Sequence, residues 1–572
     1  MTITEWFIFF LVLQVVHFLG TWKLYQKAGR QAWEAIVPFY NAVVLMKIIN
    51  RPWWYTLLLL VPIVNIIMLI VVWVETLRSF GKNTPTDTFL GVITLGLYIY
   101  YINYTQDVTY VKDRSLKPKS GSGEWVSSIL FAVVAATIVH AYIMQPFTIP
   151  TSSLEKTLLV GDFLFVSKFH YGARSPMTAV AFPMVHDTIP VAKVKSYVNK
   201  PQYPYLRFPG FEDIERNDIV VFNWPTDTVP YFGYSGSKTY LKPIDKKSNY
   251  VKRAVGIPSD KLQIKEGDVY VNDAFLELHD RQKLQYFYYL TGEDAQFGRL
   301  LHDYKIKESY TAAEYRMKTE YWDDQRVQEY LNKPNVSNNI TLTKRDSTMV
   351  TFLGSVSSEA VDRLRIQVQK RVLVVNLTDE LAEKIKTDSR VYSLNRVESS
   401  SGSDVFPHDK NWSVDNFGPI TIPQAGVSVP LTTDNILLYK RIIEVYEGRE
   451  LGIENDITLN GNQVLLNGNP VSEYTFLMDY YWMMGDNRQN SADSRSFGFV
   501  PFNHVVGKPV FIWMSWDSNA EGIANKIRWE RLFTTVGGDG EPVSYFNYFL
   551  IAMGLLVAYN VVKKRKKKKA TS

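Results

Sequence analysis

The sequence predicts a membrane-anchored protein whose main domain is built of antiparallel β-strands and carries an inserted α+β subdomain. Three observations support this fold class. Apolar runs long enough to enter a bilayer stand near both ends of the chain. Short runs rich in Val, Ile and Phe, bounded by Gly, Pro and Asp, follow the apolar run at 125–144. Residues 275–397 then change to a more helical pattern.

Composition limits the function classes that the chain can belong to. Its 572 residues, 46% of them hydrophobic, are enough for more than one buried core. The net charge of +6 is more than accounted for by the run of basic residues at 563–569, so a nucleic-acid partner is not indicated. The chain has no cysteine, which excludes disulfides, thiolate metal sites and a cysteine nucleophile.

The N-terminal 104 residues are predicted to form a membrane region with three spans and one shorter apolar segment. The shorter segment, 35–49, contains Pro38, Asn41 and Lys47 and is predicted to be interfacial or re-entrant. A polar linker at 105–124 leads to a fourth span, and a fifth span precedes a basic tail at 563–572. The predicted spans are 6–19, 53–74, 89–102, 125–144 and 545–562.

Basic residues set the expected orientation in the membrane. Lysines and arginines concentrate in the loop at 23–51, in the linker at 105–124 and in the tail, and the positive-inside rule assigns all three to the cytoplasm. Residues 145–544 are then expected outside, and the N-terminus is outside as well. This topology requires that segment 35–49 does not span the bilayer.

The part outside the membrane is predicted to consist of a main β domain, at 145–274 and 398–544, interrupted by the inserted α+β subdomain at 275–397. Strands are expected at 163–167, 218–223, 250–255, 268–272 and 464–466, with a longer one at 474–484. Within the insertion, helices are expected at 311–330, 357–369 and 378–386.

Three polar stretches are the candidates for chemistry. The first, at 149–162, places Ser153 in a turn just beyond the span at 125–144. Most serine pairs in turns, such as Ser152 and Ser153, only form hydrogen bonds with the backbone. The second places Lys252 beside Arg253 in an apolar strand, where burial can hold a lysine neutral. The third is a dense polar loop at 485–495 between apolar strands, whose side chains can fix one another.

Together the three stretches resemble the type I signal peptidases of bacteria. The sequence Gly-Asp-Asn-Arg-x-x-Ser-x-Asp-Ser-Arg, which begins at Gly485, is highly specific to that family. The stretch Lys-Arg-x-x-Gly-x-Pro-x-Asp from Lys252 is moderately specific, and the serine stretch is weaker alone. The chain has Asn217 and Ser259 where the family usually has glycine in two of its turns.

The resemblance implies a role for each matching residue. Ser153 is expected to be the nucleophile and Lys252 the general base. Thr151 and the Ser153 backbone N–H are expected to form the oxyanion hole, and Ser491 to hydrogen-bond the lysine. Asp493 and Arg495 are expected to form a supporting ion pair, with further support from two charged neighbours of the site, Asp486 and Arg253.

The resemblance also implies a function and its surroundings. We expect a bacterial serine endopeptidase of the cytoplasmic membrane, which removes signal peptides after small-x-small sites such as Ala-x-Ala. Its active domain is expected on the extracytoplasmic side, and no metal or cofactor is expected. The expected partners are signal-peptide-bearing pre-proteins, the lipid bilayer and, as a further candidate, the secretion translocon.

Two other interpretations compete with this one. Ser153 and Lys156 match the Ser-x-x-Lys motif of penicillin-recognising acyl enzymes, but no Lys-Thr-Gly-like box follows late in the chain. The chain could also be a membrane scaffold whose peptidase domain is catalytically degenerate. The complete set of five polar residues argues against this alternative: Ser153, Lys252, Ser491, Asp493 and Arg495.

Overall fold

The structure is a computed structural model that describes residues 2–118, 121–229, 239–331, 333, 336–399 and 405–570. The predicted linker includes residues 119 and 120, and the predicted basic tail includes 571 and 572. These four residues lie outside the described part of the chain.

Membrane anchoring rests on long apolar helices at both ends of the chain and directly before the β domain. Among the described residues, three helices are long and apolar enough to cross a bilayer: Ile3–Lys27, Gly121–Ile143 and Phe546–Lys564. Their apolar windows are almost entirely exposed, as expected for surfaces that lipid covers. The first helix begins with a capping box between Thr2 and Glu5.

The predicted spans at 53–74 and 89–102 are wrong as single helices. The first run divides between Tyr55–Leu58 and Val64–Ser79, and the second between Pro85–Ile93 and Tyr98–Thr105. Left-handed backbone at Ile63 (φ 71°) interrupts the first, and at Leu95 and Gly96 (φ 51° and 84°) the second. Hydropathy does not detect these turns.

The shorter apolar segment, 35–49, contains the helix Tyr40–Ile48, whose nine residues cannot cross a bilayer.

These short helices pack with Ile3–Lys27 into one N-terminal helical unit, residues 3–114, which has its own apolar core. Glycines allow close helix contacts, since a Cβ on Gly20 would lie 2.6 Å from the ring of Tyr100. The unit also touches the β domain. Trp6 donates its indole N–H to the Gln202 carbonyl at 2.7 Å and stacks on Tyr203, with 4.6 Å between ring centroids.

The β domain is organised around an antiparallel main sheet, which has eight strands in the described part of the chain. Alternate residues of its central strand Ile219–Asn223 enter two different apolar cores, so both faces of that strand are buried. The strand order is Met144–Thr148, Asp162–Ser167, Val505–Ser515, Ile219–Asn223, Asn249–Gly256, Tyr480–Met484, Val500–Pro501, with Thr534–Thr535 beside the third.

The strand predicted at 474–484 is wrong as one element. It forms two strands, Glu473–Thr475 and Tyr480–Met484. Between them the backbone N–H groups of Leu477 and Met478 donate to the buried carboxylate of Glu447 instead of to a neighbouring strand. The hairpin at Gln463–Leu466 is present, with positive φ at Gly461, Asn467 and Gly468.

The insertion contains a second antiparallel sheet, the inserted sheet, with six strands among the described residues. Its order is Ser337–Arg345, Met349–Val356, Ser309–Lys318, Gln367–Thr378, Gln285–Gly292, Val391–Arg396. The described part of the insertion has five α-helices: Phe297–Asp303, Thr319–Trp322, Gln325–Leu331, Ser358–Arg363 and Asp379–Lys386. The last confirms the helix predicted at 378–386.

The long helix predicted at 311–330 is wrong. Residues Ser309–Lys318 form a strand, and only Thr319–Trp322 and Gln325–Leu331 are helical. Alternate side chains of this strand are buried in the core, namely Ala313, Tyr315 and Met317. A neighbouring strand pairs with it on each side, so tertiary packing overrides the local helix propensity. The helix predicted at 357–369 ends at Arg363 for the same reason, because a strand begins at Gln367.

Smaller sheets and helices complete the β domain. The first small sheet pairs Phe417–Thr421, Lys261–Lys265, Asp268–Val271 and Ala274–Phe275, and the second pairs Ile457–Asn460, Gln463–Leu466 and Asn469–Val471. A third pairs Ser428–Pro430 with Glu473–Thr475. Helices of the domain include Ile436–Arg441, which continues into the π-helix Ile442–Arg449, as well as Ser494–Phe497 and Ile523–Lys526. Beyond the domain, the membrane helix begins at Phe546 and ends at Ala570.

Candidate active site

Ser153 stands on a short helical turn, Ser152–Leu154, between the first two strands of the main sheet. Leu154 and Leu158 are buried in the core beneath it and anchor the turn. Backbone hydrogen bonds close the loop, because Ile149 N–H donates to the Asp162 carbonyl at 2.9 Å and Gly161 N–H to the Ile149 carbonyl at 2.9 Å. The serine is therefore held in one place by packing and pairing.

Lys252 lies in the strand Asn249–Gly256, which pairs with Ile219–Asn223 on one side and Tyr480–Met484 on the other. Its side chain is buried, and Nζ lies 2.6 Å from Ser153 Oγ. Burial is the main reason that the pKa of Lys252 falls to about 8, while the nearby carboxylate of Asp493 opposes the fall. A neutral amine at hydrogen-bond distance from a serine hydroxyl can accept its proton.

Two buried ion pairs support this arrangement. Arg253, next to the lysine, makes a two-pronged contact with Asp486, at 2.8 and 2.6 Å. Arg495 makes another with Asp493, at 2.9 and 2.7 Å. Burial alone would raise the pKa of the Asp493 carboxyl, but Arg495 and the Gly485 N–H hold it below its usual range. The structure brings all four predicted supporting charges to the serine and the lysine.

Ser491 is near the site, but the predicted hydrogen bond to Lys252 is not present. Its hydroxyl is buried and has no hydrogen-bond partner within the described part of the chain. Gly485 brings the polar loop against the serine, because a Cβ there would lie 2.3 Å from Ser491 Oγ and 2.6 Å from the Ser153 carbonyl oxygen. The role of Ser491 stays a prediction.

The remaining predicted residues differ in exposure. Thr151 is exposed and directly precedes the helical turn of Ser153, with extended backbone. Lys156, the lysine of the alternative Ser-x-x-Lys motif, is also exposed, and its φ of 71° is left-handed. The amine that the structure brings to Ser153 is that of Lys252.

The two glycine positions that the chain has replaced keep glycine-like backbone. Asn217 has a φ of 70° and Ser259 a φ of 72°. Asn217 still places its carbonyl 2.7 Å from Arg253 Nη1, from which it accepts a hydrogen bond. The Asn217 turn therefore retains the geometry that supports Arg253 despite the change of residue.

Sequence reasoning gave no role to three residues that contact the serine turn or its supports, although one of them, Asn487, stands in the predicted polar loop. Asn487 is fully buried, and its N–H donates to the Ser153 carbonyl at 3.0 Å. Glu308 and Asn376, from the insertion, hydrogen-bond the Asn487 side chain. The available signal was a single asparagine within the otherwise apolar end of the strand Gln367–Thr378, where a buried polar group needs a partner.

Comparison with family models gives two matches. The model described as signal peptidase, peptidase S26, matches residues 122–344 and 467–516, which include the serine, the lysine and the polar loop. A family of unknown function, DUF5684, matches residues 33–113, within the N-terminal helical unit.

Several curated proteins resemble the chain. Signal peptidase I of Buchnera aphidicola is 24% identical over 399 residues, which cover 70% of this chain and 77% of the relative. Signal peptidase I of Rickettsia massiliae is 30% identical and that of Rickettsia canadensis 31% identical, each over 159 residues. In both Rickettsia cases the match covers 28% of this chain and 46% of the relative, so it spans less than half of their length.

Proposed function

We propose that the chain is a signal peptidase of the peptidase S26 family, a hydrolase that cleaves signal peptides with Ser153 as nucleophile and Lys252 as general base. The observation that carries the proposal is the distance of 2.6 Å between Lys252 Nζ and Ser153 Oγ. The amine is buried, so its neutral form is accessible near neutral pH.

The mechanism is an acyl transfer in two halves. Neutral Lys252 accepts the Ser153 Oγ proton as the oxygen attacks the carbonyl carbon of the scissile bond. The oxyanion accepts hydrogen bonds from the Ser153 N–H and the Thr151 hydroxyl. The lysine ammonium then protonates the departing amine and leaves the signal peptide esterified to Ser153. Water, deprotonated by the same lysine, attacks the ester and releases the signal peptide.

The membrane supports a signal peptide as substrate. Thr151 follows the end of the helix Gly121–Ile143 by eight residues, and ~3.3–3.6 Å per extended residue keeps the site within about 30 Å of the helix end. A pre-protein whose apolar helix lies in the same bilayer presents its first extended residues at that depth. Cleavage after small-x-small sequences such as Ala-x-Ala is part of this proposal.

Orientation follows from charge and from contacts. Lysines and arginines at 23–51, 105–124 and 563–569 assign these segments to the cytoplasm, and the β domain then lies on the extracytoplasmic side of a bacterial cytoplasmic membrane. Trp6 supports an external N-terminus, because it contacts Gln202 and Tyr203 of the β domain. The two interrupted apolar runs turn back on themselves, since Arg51 lies beside Glu75 and Lys82 beside Gln106, and they add no net crossing. The sides of the basic segments and of the β domain are therefore unchanged. The secretion translocon is the further partner that this orientation allows.

Cleavage of a purified pre-protein with an Ala-x-Ala site, in detergent, tests the proposal. Wild type, Ser153→Ala, Lys252→Ala and Lys156→Ala are compared at equal concentration. We expect the first two variants to be inactive and Lys156→Ala to match wild type, because that lysine is exposed and takes no part in the proton transfer. Loss of activity in Lys156→Ala alone would favour the Ser-x-x-Lys enzyme, and a folded wild type without activity would favour the degenerate scaffold.

A further inference from the structure

The inserted sheet is hydrogen-bonded directly to the polar loop of the active site. Gln285, the first residue of a strand in that sheet, donates its N–H to the Asp486 carbonyl and accepts from the Arg488 N–H, both at 2.9 Å. Gln489 adds a side-chain contact, since its Oε1 accepts from the Phe287 N–H at 2.8 Å. The insertion and the loop are therefore one hydrogen-bonded unit.

Within that unit, Asn487 helps to hold the peptide group that precedes the nucleophile, whose carbonyl oxygen also accepts from the Glu155 N–H at 2.9 Å. Asn487 Nδ2 donates to the Ser152 carbonyl oxygen at 3.2 Å, and the Asn487 backbone N–H donates to the Ser153 carbonyl oxygen at 3.0 Å. In a planar trans peptide the C=O and the following N–H point in opposite directions. Fixing the Ser152 carbonyl thus also fixes the direction of the Ser153 N–H, the proposed oxyanion donor.

Residues of the insertion in turn fix the Asn487 amide. Asn376 donates its Nδ2 to Asn487 Oδ1 at 2.9 Å and to Glu308 Oε2 at 2.8 Å. The same Glu308 oxygen accepts from Asn487 Nδ2 at 3.4 Å. An ionised carboxylate only accepts, so it turns the NH₂ groups of both asparagines toward itself. In this amide orientation, Asn487 Nδ2 faces the Ser152 carbonyl oxygen.

We propose that Glu308 and Asn376 are positioning residues for catalysis, which set the direction of the Ser153 N–H through Asn487. This inference rests on the proposed function and gives the insertion a part in it. Asn376 lies outside both segments that the signal peptidase model matches, whereas Glu308 lies within the first. Glu308 also accepts from Asn490 Nδ2 at 2.6 Å, and Asn490 donates to Ser152 Oγ at 3.2 Å, which ties the carboxylate to the serine turn a second time.

The experiment compares Asn376→Ala with Asn395→Ala, whose exposed amide lies in the strand Val391–Arg396, two strands away in the same sheet. Asn376→Ala is expected to lower kcat about tenfold, a fraction of the ~10²–10³ loss on removing an oxyanion donor outright, with KM unchanged. Asn395→Ala is expected to match wild type. Glu308→Gln, which disturbs the carboxylate without a cavity, is expected to lower kcat in the same way.

Hydrogen exchange provides a readout that does not need cleavage. The peptides containing residues 152–158 and 485–490 are expected to exchange faster in Asn376→Ala and Glu308→Gln, but not in Asn395→Ala. Faster exchange in these two variants, together with a wild type that cleaves nothing, would uphold the positioning network while refuting the proposed function. Unchanged exchange, unchanged kcat, or a raised KM at constant kcat in both variants would overturn the positioning role.

Discussion

The dependence of kcat/KM on pH at acid pH follows from the protonation state of Lys252. With a pKa of about 8, about 1% of the lysine is neutral at pH 6, about 10% at pH 7 and about 90% at pH 9. If the neutral amine is the base, kcat/KM rises about tenfold per pH unit below pH 7 and levels off above pH 9. A lysine that kept its ordinary side-chain pKa of 10.5 would instead give a profile still rising at pH 10.

Measuring initial rates on an Ala-x-Ala peptide in detergent, at constant ionic strength from pH 5.5 to 10.5, distinguishes these cases. Thermal unfolding across the same range is the control, because loss of fold at either end would imitate a titration. A profile that is flat from pH 6 upward would refute a lysine base. A rate that still rises up to about pH 10 before it levels off would refute the claim that burial lowers the pKa of Lys252.

Three further variants test the packing of the site. Gly485→Ala should abolish cleavage, because its Cβ would lie 2.6 Å from the Ser153 carbonyl oxygen, and activity matching wild type would contradict this. Asp493→Asn should lower the free energy of unfolding by about 3–5 kcal/mol, since it leaves buried Arg495 unpaired, as a fall in Tm would report. Lys252→Met should be inactive, yet below pH 8 its free energy of unfolding should be higher by at most about 3 kcal/mol. The reason is that burial lowers the pKa of Lys252 in the folded protein, so protonation of this amine favours the unfolded chain. That gain should disappear above pH 10.5, and a lower Tm in Lys252→Met at pH 7 would contradict it.

Sequence reasoning reached the central site residues through the resemblance of three short polar stretches to the signal peptidases. These residues are Ser153, Lys252, Asp493 and Arg495, and the structure brings them together. Strands with turn residues on both sides, such as Gln463–Leu466, could also be predicted from the sequence. Local pattern suffices for such hairpin strands, because the interactions that form them lie within a few residues of the chain.

What escaped prediction depends on contacts distant in the chain or on single backbone angles. Asn376 and Asn487 are 111 residues apart, and no periodicity connects them. The turns at Ile63 and Leu95 lie inside apolar runs that are continuous by hydropathy. The strand Ser309–Lys318 contains good helix formers, and only its two neighbouring strands decide its conformation.

Trapping the acyl-enzyme tests the central claim most directly. Wild type is mixed with excess Ala-x-Ala pre-protein and quenched in acid within one turnover, which protonates Lys252 and halts hydrolysis of the ester. Peptide mass mapping should then find the signal peptide attached at Ser153, and Ser153→Ala should show no adduct. Cleavage without an adduct at Ser153, or an adduct on the neighbouring Ser152, would contradict the account.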